Sequence, residues 1–135
     1  MPSILLVDPN PSTRDCTCRT LSAEGWAVRC HGSGRQAYEE IMAAPPDLVV
    51  QEISLPDLDG LELLARVAGR HPSVPVIIYT GNQSQKDNFL TWMAEAYVVR
   101  RPDAGPLLRA VRRVLRCRQN SNLPVRAPMT LPSAS

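Results

Sequence analysis

Five short apolar runs, each followed by a segment of helical periodicity, limit what this chain can fold into more than any other feature. The runs are Ser3–Asp8, Trp26–Cys30, Asp47–Glu52, Val76–Thr80 and Tyr97–Arg100. They are rich in Ile, Leu and Val and do not alternate polar with apolar residues, the pattern of strands covered on both faces. Asn10 before Pro11 reads as an N-cap and a first-turn proline, opening a helix that should run to about Glu24 and stop at Gly25. Ser33-x-x-Gln36 is a capping box for a second helix through Tyr38, Ile41 and Met42, ended by Pro45-Pro46. Leu61, Leu64, Ala65 and Ala68 mark a third helix, and Phe89, Trp92, Met93 and Ala96 a fourth. Asp103 caps a last helix through Leu107, Leu108, Val111, Val114 and Leu115.

Strand and helix alternating five times within about 118 residues specify an open parallel α/β sheet. Right-handed crossovers then favour a flavodoxin-like, doubly wound (βα)5 fold of strand order 2-1-3-4-5. Residues 1–118 should form this domain. Residues 119–135, with Pro124, Pro128 and Pro132 and no periodicity, read as a flexible C-terminal tail. In this order ligands bind outside the carboxyl ends of the strands, at the switch between strands 1 and 3. Those ends carry Asp8 and Glu52, with Thr80 ending strand 4 and Arg100 ending strand 5. An acid, a second acid, a hydroxyl and a cation should therefore share one rim.

Composition removes several functional classes. Fifteen basic residues against thirteen acidic ones give a net charge of +2, too little for a protein built around nucleic acid. Val74–Tyr79 falls far short of the ~20 apolar residues that span a bilayer. Ile4–Val7 runs straight into Asp8, unlike a signal peptide, so a cytoplasmic setting without membrane contact is expected. Four cysteines, at 16, 18, 30 and 117, are too few for a disulfide scaffold. On a helix Cys16 and Cys18 diverge by about 200°, and no further ligands fall at zinc-like spacing. Isolated reduced thiols and no bound metal are expected. No G-x-G-x-x-G or G-x-x-x-x-G-K-[ST] loop is present, and His31 and His71 fall at element boundaries away from the rim. The chain is therefore not expected to be an enzyme. A nucleotide- or small-ligand-binding enzyme on the same fold is the reading that this disfavours.

Leu55-Pro56-Asp57-Leu58-Asp59-Gly60-Leu61-Glu62-Leu63-Leu64 resembles the M-P-x-M-D-G-L-E-L-L signature of the receiver domain of bacterial two-component response regulators. Ile4–Asp8 is similar to that family's opening strand, Pro75–Gly81 to the strand ending in its switch threonine, and Ala96–Arg100 to the strand ending in its lysine. The resemblance covers residues 3 to about 118. It implies phosphoryl transfer from a histidine kinase to an aspartate ending strand 3. Two acids ending strand 1 would hold Mg²⁺, and the threonine and lysine would bind the phosphoryl oxygens.

The sequence departs from that pattern where the chemistry lies. Glu52 stands at the phosphoacceptor position, Pro9 replaces the second metal-binding acid, and Arg100 replaces the lysine. Arg101 precedes Pro102 where the proline itself should follow the lysine, the segment between Thr80 and Tyr97 is about two residues short, and Met93 takes a glycine position. Glu52 carries its carboxylate roughly 1.5 Å farther out than aspartate would. Arg100 offers a planar fork suited to a two-pronged grip on that carboxylate. These changes point to a phosphorylation-independent receiver with Mg²⁺ binding weak or lost, in which Glu52 and Arg100 form a permanent ion pair. A working acceptor using Glu52, Asp57 or Asp59 is the alternative.

Tyr97 holds the family's aromatic switch position, or is simply a half-buried strand tyrosine. Residues 100–118 hold seven arginines against one acid, whereas the rest of the chain holds eight cations against twelve acids. Arg109, Arg112, Arg113 and Arg116 recur on one helical face, read either as a docking stripe for an acidic partner or as a solvated face. With Arg101 and an exposed Trp92, they would form the interaction surface that the resemblance places on the fourth helix, fifth strand and last helix. The expected partners are signalling proteins, a histidine kinase or an output protein, and a homodimer through the same face is possible. No helix-turn-helix pattern follows, so direct DNA binding is not expected.

Overall fold

Parallel pairing of the apolar runs organises the computed structural model, which describes residues 1–85 and 88–120. The elements are β1 (Ser3–Val7), α1 (Pro11–Ser22), β2 (Ala27–His31), α2 (Gly34–Ala43), β3 (Leu48–Gln51), α3 (Gly60–Arg70), β4 (Val76–Thr80), β5 (Ala96–Val99) and α4 (Gly105–Asn120). The strands form one parallel sheet of order β2-β1-β3-β4-β5, as the crossover rules require. Registers Val7↔His31, Val7↔Gln51 and Thr80↔Val99 bring the carboxyl ends of the strands to one edge.

Alternation along each strand supplies two cores. Leu5, Val7, Val49 and Ile78 face α2 and α3, where they meet Ile41, Leu63, Leu64 and Val67. Ile4, Leu6, Val50 and Ile77 face the other way, onto Leu21 of α1 and Leu107, Val111 and Val114 of α4. Burial on both faces is why β1, β3 and β4 read as unbroken apolar runs. Gly25 ends the α1 connection with φ +93°, a conformation that side chains resist.

The expected fourth α-helix is not formed. Gln83–Gln85 and Phe89–Met93 are short 3₁₀ turns, and Ala96 opens β5, paired with Ile77, instead of closing a helix. A 3₁₀ turn rises about 2.0 Å per residue against 1.5 Å for an α-helix, so a shortened segment can still cross from the end of β4 to the start of β5. Trp92 stands 58% exposed on the second turn, while Met93 packs on the core. The last helix continues to Asn120, two residues past the expected domain end. The rest of the expected tail, 121–135, lies outside the described residues.

The loop between β3 and α3 is braced by polar groups. Asp59 accepts the Leu61 N–H at 2.9 Å and caps α3. Asp57 reaches across to the start of α2, accepting from Ser33 Oγ at 2.6 Å, Gly34 N at 3.0 Å and Arg35 N at 3.1 Å. Ser33 Oγ accepts from Gln36 N at 3.2 Å, and the remaining free N–H groups of α2 go to the charged Asp57 carboxylate. The Ser33 hydroxyl and these N–H groups hold the Asp57 carboxyl down to about 2. Buried Gln51 donates to the Gly60 carbonyl at 2.6 Å, and Gly60 N donates to the Ile53 carbonyl at 2.9 Å. A Cβ on Gly60 would lie 2.6 Å from the Glu52 carbonyl oxygen and 2.7 Å from Ile53 Cα, so only glycine fits that contact.

All four cysteines are free thiols. Cys18 of α1 and Cys30 of β2 both pack on the cluster that includes Leu6 and Leu21.

Because the Asp57 carboxyl is lowered on folding, its contribution is present above 3.8, the ordinary value, and is lost as the pH falls toward about 2. In urea unfolding against pH, Asp57→Asn is expected to lower stability at neutral pH and to flatten the loss across that acid window. Gly60→Ala is expected to cost about 1–3 kcal/mol in the same assay.

Candidate functional site

Four of the strand ends meet around one carboxylate. Glu52, immediately after β3, is 9% exposed. Its Oε2 accepts the Ile53 N–H at 2.7 Å, the Ser54 N–H at 3.3 Å and the Thr80 hydroxyl. Its Oε1 accepts from Arg100 Nη2 at 2.7 Å. Thr80 is itself buried and, through Oγ1, accepts the Asn82 N–H at 3.1 Å. Glu52 thus spends its extra methylene on a hydroxyl at the end of β4 and a guanidinium beyond the end of β5.

Asp8 closes the other side. Its Oδ1 accepts the Asn10 N–H at 2.9 Å, and its Oδ2 lies 3.6 Å from Arg100 Nη2. Burial pushes the Asp8 carboxyl above its ordinary value, with nearby Glu52 adding to the rise, while the Asn10 N–H and the Arg100 charge oppose it. The Asp8 main chain is also held on both sides. Its N–H donates to the His31 carbonyl at 3.0 Å, and its carbonyl accepts from Arg14 Nη1 at 2.9 Å. His31, expected away from the rim, ends β2 beside Asp8, and only its ring turns aside, to Glu40 Oε1 at 2.5 Å.

The two-pronged grip expected of Arg100 does not form. Nη2 alone serves Glu52 and Asp8, and it also donates to the Tyr79 carbonyl at 3.3 Å. The guanidinium lies over the Tyr79 ring, 5.2 Å from its centroid, which sets the plane of the fork and turns one prong toward the acids. Arg100 Nε is buried with no hydrogen-bond partner among the described residues.

Tyr97 is half-buried against the α2–α3 core, and its hydroxyl donates to the Asn82 carbonyl. Asn82 therefore joins Thr80 to Tyr97, a link that the sequence reading missed, as it missed Tyr79, Arg14 and the Ile53 N–H. Only the Thr80-Gly81-Asn82 turn after β4 gave a signal for Asn82.

The resemblance implies a divalent cation here, and these residues do not fit one. Pro9 contributes no carboxylate, Asp8 Oδ1 is engaged by a main-chain N–H, and Arg100 already places a positive charge between Asp8 and Glu52. A hard cation needs free oxygen ligands, and a resident guanidinium repels it.

The expected surface residues are only partly together. Arg109, Arg112, Arg113 and Arg116 are exposed on α4. Arg112 pairs with Glu24 at 2.5 Å, and Arg113 contacts the Glu95 carbonyl at 3.4 Å. Nearby, Arg118 donates to the Asp47 carbonyl at 2.5 Å. Arg101, Arg109 and Arg116 make no ion pair among the described residues, so the stripe is partly a brace and partly a solvated basic edge.

The fold accords with the comparisons. The chain belongs to the response regulator receiver domain family, whose model matches residues 4–112. Transcriptional regulatory protein TrcR of Mycobacterium tuberculosis is 33% identical over 115 residues, covering 84% of this chain and 45% of TrcR. The chain spans less than half the length of the first curated relatives that it matches. Response regulator protein TrrA of Thermotoga maritima, solved in complex with Mg²⁺-BeF, superposes with a TM-score of 0.83 at 25% identity, covering 84% of this chain and 99% of TrrA. TrrA solved in complex with histidine kinase ThkA gives 0.81 at 26% identity, covering 85% and 99%. The chain is thus a receiver domain of the two-component response-regulator type, a family of signalling proteins. No helix among its described residues is long and apolar enough to cross a membrane.

Asp8 and Glu52 have side chains only 6% and 11% exposed, so removing their shared cation leaves two buried charges unpaired. Arg100→Ala is expected to cost about 3–5 kcal/mol in urea unfolding at neutral pH, with the loss shrinking as acid protonates Asp8, whose carboxyl is already raised by burial. Thr80→Val is expected to cost about 1.5–3 kcal/mol by removing one charge-assisted hydrogen bond.

Proposed function

We propose that this chain is a receiver module whose signalling state does not depend on phosphorylation, and that it acts by protein–protein contact. The observation that carries this reading is the single carboxylate of Glu52 bound at once by Thr80 and Arg100. In the family these are the positions that bind the phosphoryl oxygens. Glu52 supplies a fixed negative charge there, smaller than the roughly −1.5 to −2 of a phosphate but already engaged by the same partners. Attack on a phosphoryl donor needs a carboxylate oxygen free to approach in line. Both Glu52 oxygens are committed instead, and Mg²⁺ binds weakly or not at all.

Asp57 and Asp59 are poor substitutes as acceptors, since each is occupied at a helix N-terminus. Contact with a histidine kinase or an output protein runs over the edge formed by Trp92, Arg101, Arg109, Arg113 and Arg116, and a homodimer would use the same edge. An exposed Trp92 and the exposed arginines of α4 suit an acidic partner surface with an aromatic pocket. The module is neither an enzyme nor a direct DNA binder, and it works in the cytoplasm.

Incubation with acetyl phosphate and Mg²⁺, followed by intact mass spectrometry, tests this. No stable gain of a phosphoryl group is expected. A gain that disappears in Glu52→Gln would establish a working acceptor at Glu52, and one that disappears in Asp57→Asn or Asp59→Asn would move the acceptor to the loop. Either result would overturn the proposal.

A further inference from the structure

A cavity of about 330 Å³ lies between α1 and the connection from β5 to α4. Ser12, Thr13 and Thr20 line it from α1, and Arg100 and Arg101 line it from the connection. The three hydroxyl-bearing residues fall within about 100° of arc, so one face of the helix presents them together. Tyr79 and Leu107 add apolar lining, and no carboxylate lines the cavity among the described residues. Ser12, Thr13, Arg100 and Arg101 belong to the rim where the strands end, whereas Thr20 lies about 12 Å farther along α1 than Ser12.

The donors at the rim end are not needed to hold the fold. Arg101 is exposed and makes no ion pair among the described residues. The Ser12 and Thr13 hydroxyls have no partner among them either. In the first turn of α1, Pro11 has no N–H and the Thr13 N–H goes to Asn10 Oδ1 at 3.0 Å, which leaves the Ser12 N–H unpaired among the described residues. Arg100 commits only Nη2 to Glu52, Asp8 and the Tyr79 carbonyl. Thr20 differs, since its hydroxyl already donates to the Cys16 carbonyl at 2.9 Å.

We propose that this cavity binds a small organic phosphomonoester, held without covalent transfer. Two arginines and no acid in the lining select an anion. Hydroxyls on one wall and guanidinium groups on the other can serve the three oxygens of a tetrahedral phosphate, whereas a planar carboxylate presents two. The phosphate sits at the rim end, between Ser12 and Thr13 on one side and Arg101 on the other. The volume is at the lower end of the roughly 300–1,000 Å³ of ligand cavities, which suits a compact organic body lying against Leu107 and the Tyr79 ring. Arg100 adds its charge from the edge of the cavity while its Nη2 stays on Glu52.

The test titrates the full chain with phenyl phosphate at constant ionic strength and follows amide NMR, with inorganic phosphate and phenol in parallel. Saturable shifts at Ser12, Thr13 and Arg101 are expected with phenyl phosphate, at higher concentration with inorganic phosphate, and not with phenol. Glu52 and Thr80 are expected to keep their resonances. Arg101→Ala, at an exposed position that leaves the fold intact, is expected to weaken phenyl phosphate binding about tenfold. Shifts that grow without saturating, an equal response to phenol, or unchanged binding in Arg101→Ala would overturn the proposal and leave the phosphorylation-independent reading of Glu52 untouched. Shifts centred on Glu52 and Thr80 would overturn it and count against that reading as well.

Discussion

A buried carboxylate without a cation cannot persist at the end of a strand, and Glu52 persists because Arg100 crosses the rim to meet it. Two carboxylates, a hydroxyl and a guanidinium sit where the sheet would otherwise expose its polar edge. The main-chain N–H groups of Ile53 and Ser54 complete the shell of Glu52. Removing any one member leaves another charged or polar group without its partner in a low-dielectric place. The loops inherit their positions from this constraint. The β3–α3 loop starts at the N–H groups that Glu52 holds, and the turn after β4 is tied to Thr80 through Asn82.

In the proposed reading, the same closure changes the signalling logic. A receiver that responds to phosphorylation needs an open place for a phosphoryl group and for the metal that neutralises it. Here Glu52 brings the charge and Arg100 the countercharge, both from the chain itself. The Thr80–Asn82–Tyr97 chain of hydrogen bonds leads away from that pair to β5. A state set by sequence rather than by a transferred group would be presented continuously to a partner.

Much of this was legible from residues alone. Apolar runs bounded by Asp8, Glu52, Thr80 and Arg100 determine both the sheet and the residues that meet at its edge, because right-handed crossovers in a parallel sheet bring the carboxyl ends of the strands together. What could not be read depended on distance in three dimensions. The helix expected over Phe89 to Ala96 has the right periodicity, but the short span from β4 to β5 overrides it. The two-pronged arginine was a sound inference from side-chain chemistry. It fails because the Tyr79 ring beneath the guanidinium turns the fork. Asp57 looked like a spare acceptor until the chain brought the start of α2 within its reach.

Amide NMR during titration with Mg²⁺ and then beryllofluoride addresses the central claim most directly, namely that the Glu52–Arg100 pair already fills the site. The account predicts that Glu52, Ile53, Thr80, Asn82 and Tyr97 keep their resonances through both additions. Saturable shifts confined to those residues would show that the site is open to a metal and a phosphoryl mimic, and would contradict it.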